Sequence, residues 1–185
     1  ALLNNTTASN NTAVGYQAAY SNITGTDQVV VGYHALRSNT SGLDNVAVGS
    51  STLYSNTTGI NNNAIGQASL YANTTGGSNT ALGHQSLRFN TTASSNTAGT
   101  RLVAVGQVAL YANTTGNYSV AVGQAALYNS TTGSNVAIGD SAMVANTTGN
   151  SNVAIGTFNG STLPALYYNT TGSSNIAIGA GALKS

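Results

Sequence analysis

Chemistry has few residues to work with in this chain. The only acids are Asp27, Asp44 and Asp140; there is no Glu and no Cys, and the two histidines are His34 and His84. Hydrolysis by paired carboxylates needs two acids facing one bond at a set separation. Asp27 and Asp44 stand one repeat apart in a turn and read as stacked, solvated residues rather than as a catalytic or calcium pair. The Gly- and Asp-rich pattern of calcium-binding rolls is missing. His34 and His84 fall in different columns of the repeat with no Cys or Glu near them in sequence. No catalytic residue, cofactor or metal ligand is therefore expected, and the chain reads as something other than an enzyme.

The most frequent pattern with chemical meaning is Asn-x-Ser/Thr. It begins at Asn22, Asn39, Asn56, Asn73, Asn90, Asn113, Asn129, Asn146 and Asn169, and again at Asn159. In a compartment where N-glycosylation operates, such a row would coat one edge of the molecule with sugar. The same residues are good turn formers, because Asn and Thr bond the local backbone. Both readings stand at the level of sequence. Threonine-rich solenoids also present flat arrays to ice. Here the two threonines are adjacent, so strand geometry would send them to opposite faces, and they precede a Gly bend.

These motifs sit on a repeat. The phrase Asn45-Val46-Ala47-Val48-Gly49 returns along the whole chain, for example as Asn135-Val136-Ala137-Ile138-Gly139. Its marker glycines are Gly15, Gly32, Gly49, Gly66, Gly83, Gly106, Gly123, Gly139, Gly156 and Gly179. Most steps are about 17 residues, and two are longer by about six. The extra residues read as insertions near 99–104 and 159–164. Such a period indicates a solenoid in which each coil packs only on its neighbours. The expectation is an all-β, parallel β-solenoid of about ten coils, forming a single domain over 1–185. At a spacing of about 4.8 Å per coil the rod would be on the order of 50 Å long.

Three segments make up each coil. Before the marker glycine stands an apolar triplet such as Val46-Ala47-Val48, in which Val46 and Val48 share one strand face and Ala47 takes the other. Neither face is polar, so the strand reads as buried on both sides. One face must then be covered by something outside the coil. The small Ala column suggests that a second chain approaches there, which predicts a homo-oligomer, a trimer first. After the glycine comes a second apolar segment, as in Ala126-Leu127-Tyr128. A second short strand fits it better than a single helical turn, because the coil is short. The Asn-Thr-Thr-Gly turn closes the coil.

Composition narrows the partners. Only 4% of residues are charged and the formal net charge is +1, which gives no electrostatic reason to expect nucleic acid or an anionic membrane as a partner. No apolar run approaches the roughly 18 residues that span a bilayer. The chain opens at Ala1 without a signal peptide, as expected of a processed product or a piece of something longer.

Asn45-Val46-Ala47-Val48-Gly49 and Asn135-Val136-Ala137-Ile138-Gly139 resemble the head repeats of trimeric autotransporter adhesins, the family of the Yersinia adhesin head. The longer unit Ala121-Val122-Gly123-Gln124-Ala125-Ala126-Leu127-Tyr128 is also similar to repeats in phage tail-fibre shafts and fibrous surface proteins. The resemblance implies a left-handed, trimeric β-roll with two short strands per coil. It implies a structural or adhesive extracellular fibre segment at the cell surface, with a surface glycan or host receptor as partner. Rods joined end to end into a filament are a further arrangement. A virion tail-fibre shaft that binds a receptor through the insertions is the alternative, and a carbohydrate-active solenoid fits less well. The coil here is longer by its Asn-Thr-Thr-Gly turn.

Overall fold

The structure is a computed structural model that describes residues 1–91 and 101–183. Ten strands of three residues each follow one another. They are β1 (Thr12–Val14), β2 (Val29–Val31), β3 (Val46–Val48), β4 (Asn63–Ile65), β5 (Thr80–Leu82), β6 (Val103–Val105), β7 (Val120–Val122), β8 (Val136–Ile138), β9 (Val153–Ile155) and β10 (Ile176–Ile178). All pair in parallel, in chain order, in one sheet. The register keeps the columns intact: Val46 pairs with Val29 and Asn63, and Ala47 with Val30 and Ala64. The chain is thus a parallel β-solenoid with one strand per coil.

The central residue of each strand points into the coil. Ala47, Ala64, Ala81, Ala104, Ala121, Ala137 and Ala154 are fully buried. Opposite them lie Leu36, Leu53, Leu70, Leu87, Leu110, Leu127 and Met143, also fully buried, in one continuous cluster. A thin interior takes one large and one small side chain across its width, and alternation of the two sizes fills it to native density. This corrects the role expected of the alanines. They line the core, and it is the flanking Val and Ile residues that face outward.

The segment after the glycine is neither strand nor helix. Its backbone alternates sign: Ser51 has φ 54° and Leu53 φ 50°, and the same two places repeat at Gln85 and Leu87, Ala125 and Leu127, and Ser141 and Met143. A helix needs consecutive residues in the right-handed well and a strand needs extended φ, so alternation excludes both. The segment is tied instead to the next coil. Leu36 N–H donates to Thr52 O (2.9 Å), Leu53 N–H to Ser69 O (3.0 Å) and Leu70 N–H to Ser86 O (3.0 Å). Backbone bonding between coils compensates for residues held in the left-handed region, which costs an L-residue roughly 1–2 kcal/mol.

Val108 is the costliest of these residues, being β-branched at φ 51°. Val108→Asn is expected to raise stability by about 1 kcal/mol, a Tm rise of roughly 3 °C for a chain of this length. Thermal unfolding followed by circular dichroism checks this. A fall in Tm would mean that the packing of the half-buried valine outweighs its strain.

The two insertions leave the coil at different corners. β6 is in register with β5 and Ala104 sits in the buried Ala column, so the first insertion ends earlier than 104. The additional residues fall between Asn90 and Leu102. Gly99 and Thr100 lie outside the described residues. The second insertion falls between Gly156 and Ala165, because Ala165 O accepts from Met143 N–H (3.2 Å) as Ala142 O does from Leu127 N–H (3.0 Å). One insertion therefore precedes its strand and the other follows it.

Candidate functional site

The sequon asparagines form an interior ladder. Asn22, Asn39, Asn56, Asn73, Asn90, Asn113 and Asn146 are fully buried. Except at Asn146, each Nδ2 donates to the Oδ1 of the preceding coil, for example Asn39 to Asn22, Asn56 to Asn39 and Asn73 to Asn56, all at 2.9 Å. In Asn22, Asn39, Asn56, Asn73, Asn113 and Asn146 the second Nδ2 hydrogen goes to the carbonyl of the turn glycine three residues on, for example Asn56 to Gly59 O (3.1 Å) and Asn73 to Gly76 O (3.0 Å). Asn169 is half-buried but bonds in the same way, to Asn146 Oδ1 and Gly172 O, both at 3.0 Å. A glycan is attached through Nδ2, and in these eight residues that atom is committed inside the coil. A row of sugars along this edge is incompatible with the stacked fold.

Asn129 differs. It is exposed, and its Nδ2 donates to Val144 O (2.9 Å). In this coil Ser130 occupies the ladder place, accepting from Asn146 Nδ2 (3.3 Å). Asn159 is exposed as well, in the second insertion, where its Oδ1 accepts from the backbone of Ser161 (3.1 Å) and Thr162 (2.8 Å).

A second polar ladder went unread in the sequence. Asn45, Asn62, Asn79, Asn135 and Asn152 precede their strands and are fully buried. Asn62 uses both its backbone N–H (3.0 Å) and its Nδ2 (3.1 Å) on Asn45 Oδ1, and its Nδ2 also on Gly76 O (2.8 Å). The signal was present, since Asn opens the repeated phrase. Amides suit these places because one side chain both accepts from the next coil and donates to the last.

The described acids and histidines do not assemble. Asp27 and Asp44 are exposed in one column. Hydroxyl and amide donation from Thr26 (2.7 Å) and Asn10 (2.9 Å) holds the Asp27 carboxyl below its ordinary range. His34 lies against Tyr33, ring centres 3.9 Å apart, and His84 is exposed several coils away. Among the described residues no three of His, Asp or Glu come together as metal ligands would. Arg37 and Arg88 take the Tyr column and sit over its rings, Arg37 above Tyr20 (5.6 Å) and Tyr54 (5.7 Å), Arg88 above Tyr71 (5.7 Å). Tyr54 stacks on Tyr71 (5.2 Å) and Tyr111 on Tyr128 (4.9 Å). These rings cover one another's faces and so brace the rod.

Two surface features remain. The first is the outward face of the sheet. In the strand triplets, the polar residues on it are Thr12, Asn63 and Thr80; all others are Val, Ile or Leu, and none is charged. Val14, Val29, Ile65, Ile138, Ile155, Ile176 and Ile178 are exposed there. The second is an open cavity of about 320 Å³ beside the turn at 131–134. No helix of the described residues is long and apolar enough to cross a membrane. No protein-family model matches the chain, and neither a curated protein nor a solved structure matches it.

Proposed function

We propose that this chain is a structural or adhesive rod, a segment of an extracellular or cell-surface fibre, and that it works as a homo-oligomer joined through the outward Val/Ile face. The observation that carries the reading is that face. At about 4.8 Å per strand, ten strands make an apolar, uncharged strip roughly 43 Å long. Contiguous apolar surface of that extent on a soluble protein marks an interaction site. A second copy offers the same strip with the same spacing, so Val and Ile rows of two chains interlock without any charge left unpaired. The chemistry of the rest agrees with a mechanical role: polar ladders inside, braced tyrosines outside, and carboxylates scattered. A trimer around the shared strips is the arrangement that the resemblance to adhesin heads favours. A tail-fibre shaft is the second reading, and there the two insertions would recognise a receptor from separate corners of the rod.

Light scattering coupled to gel filtration tests the proposal. At tens of micromolar the protein is expected at a small multiple of its 18.4 kDa chain mass. Ile65→Lys combined with Ile138→Lys is expected to give a folded monomer, because symmetry brings like charges together at the interface. A monomeric parent protein, or a double variant that still associates, would sink the reading.

A further inference from the structure

At one place in the repeat three departures from its pattern coincide. From Ser130 to Asn135 the turn is one residue shorter than from Asn56 to Asn62. In the same coil Ser130 replaces the ladder asparagine, and Asn113 Oδ1, which faces the missing amide, is buried with no hydrogen-bond partner. One coil earlier, Tyr118 holds φ 58°. The corresponding residues elsewhere are Asn10, Asp27, Asp44, Asn61, Ser78, Ser134, Ser151 and Ser174, the short polar types that tolerate this conformation, with Arg101 a further large one. An aromatic ring there is strained, and strain kept against the local preference clusters at functional sites.

The shortened turn leaves the open cavity of about 320 Å³ already described. Thr115, Asn117, Tyr118, Thr132, Ser134 and Asn150 are among the residues that line it. Every lining residue is uncharged, and Tyr118 stands 48% exposed beside hydroxyls and amides. Thr115, Ser134 and Asn150 are exposed among the lining residues. A ring next to convergent neutral donors and acceptors fits a ligand with an apolar face and a hydroxyl rim.

We propose that this cavity is a binding site for a neutral saccharide unit, with the Tyr118 ring packed against the sugar face and Thr115, Ser134 and Asn150 bonded to its hydroxyls. A charged sugar would lose hydration and find no counter-charge. The site belongs to a single chain, so it stands or falls independently of the association proposed above.

Chemical-shift titration of the isotopically labelled full chain with chitotriose and with maltotriose tests this, with sialyllactose as the anionic comparison. At least one neutral trisaccharide is expected to bind at millimolar concentration and to shift the Tyr118 region. Tyr118→Asn restores the residue type that the column prefers, so it is expected to fold with a higher Tm while binding at least tenfold more weakly. Tyr118→Phe is expected to bind within about twofold of the parent. The proposal is overturned by no perturbation at 20 mM of either neutral sugar, by binding that survives Tyr118→Asn, or by sialyllactose binding as well as the neutral sugars.

Discussion

Gly83→Ala is expected to unfold most of the rod at room temperature or to lower its stability by about 4 kcal/mol or more. Two independent effects add at this position. Gly83 has φ 134°, a conformation that L side chains rarely adopt. A Cβ there would lie 2.5 Å from the carbonyl oxygen and 2.7 Å from the carbonyl carbon of Gly106 in the next coil. That backbone cannot retreat alone, because Gly106 N–H donates to Leu82 O at 2.7 Å and holds the two coils together. The end of the same column separates the two effects. Gly179 has φ 110° and nothing within 4 Å of its Cβ position. Gly179→Ala therefore carries backbone strain without the collision and should cost about 1–2 kcal/mol. Denaturant unfolding of both variants decides the point. Equal losses would show that close approach of the coils contributes nothing.

Asn73→Ala is expected to cost about 3–5 kcal/mol, although it removes few atoms. Asn73 donates to Asn56 Oδ1 (2.9 Å) and Gly76 O (3.0 Å) and accepts from Asn90 Nδ2 (3.2 Å). Without it, Asn56 Oδ1 and one Asn90 hydrogen are left buried and unmet. Gly76 O keeps its bond from Asn62 Nδ2 (2.8 Å). Asn73→Asp has nearly the same shape but cannot donate, so it should be at least as damaging as alanine. Thr75→Ala, at an exposed place in the same turn, should be close to neutral. Urea midpoints of the three variants are the measurement. An Asn73→Asp variant as stable as the parent would show that the amide matters for its volume and not for its bonds.

These variants also explain why the asparagines were read two ways in sequence. A sequon is defined by three consecutive residues, whereas the partner of Asn73 Nδ2 is Asn56, a whole coil away. Local sequence carries turn chemistry and sequon together and has no term for a neighbour stacked 4.8 Å above. Asn129 and Asn56 carry the same motif, yet one is exposed and the other is fully buried. What separates them is their place in the repeat: Asn129 stands one residue before the ladder position and Asn56 stands on it.

The period, the strand triplets and the glycine column were legible because each rests on short-range rules. Alternation within Val46-Ala47-Val48 divides two faces by pleat geometry alone, and the marker glycine recurs directly after that triplet in every coil. The first insertion was placed too late because Val103-Ala104 was counted as added chain, when the strand register makes it an ordinary rung. The segment at Ser51–Tyr54 was misread for a different reason. Its apolar residues suit a strand, but its backbone follows the stacking bonds to the neighbouring coil, and those outweigh local preference. Which face of the strand lies inside was also beyond the sequence. Val46-Ala47-Val48 is apolar on both sides, and only the width of the closed coil decides that alanine fits opposite leucine while valine and isoleucine are turned outward. Sequence by itself determined the unit and its count. The stacking of one coil on the next, which exists only in three dimensions, decided which apolar face is core, which asparagines are structural, and where a single shortened turn opens a cavity.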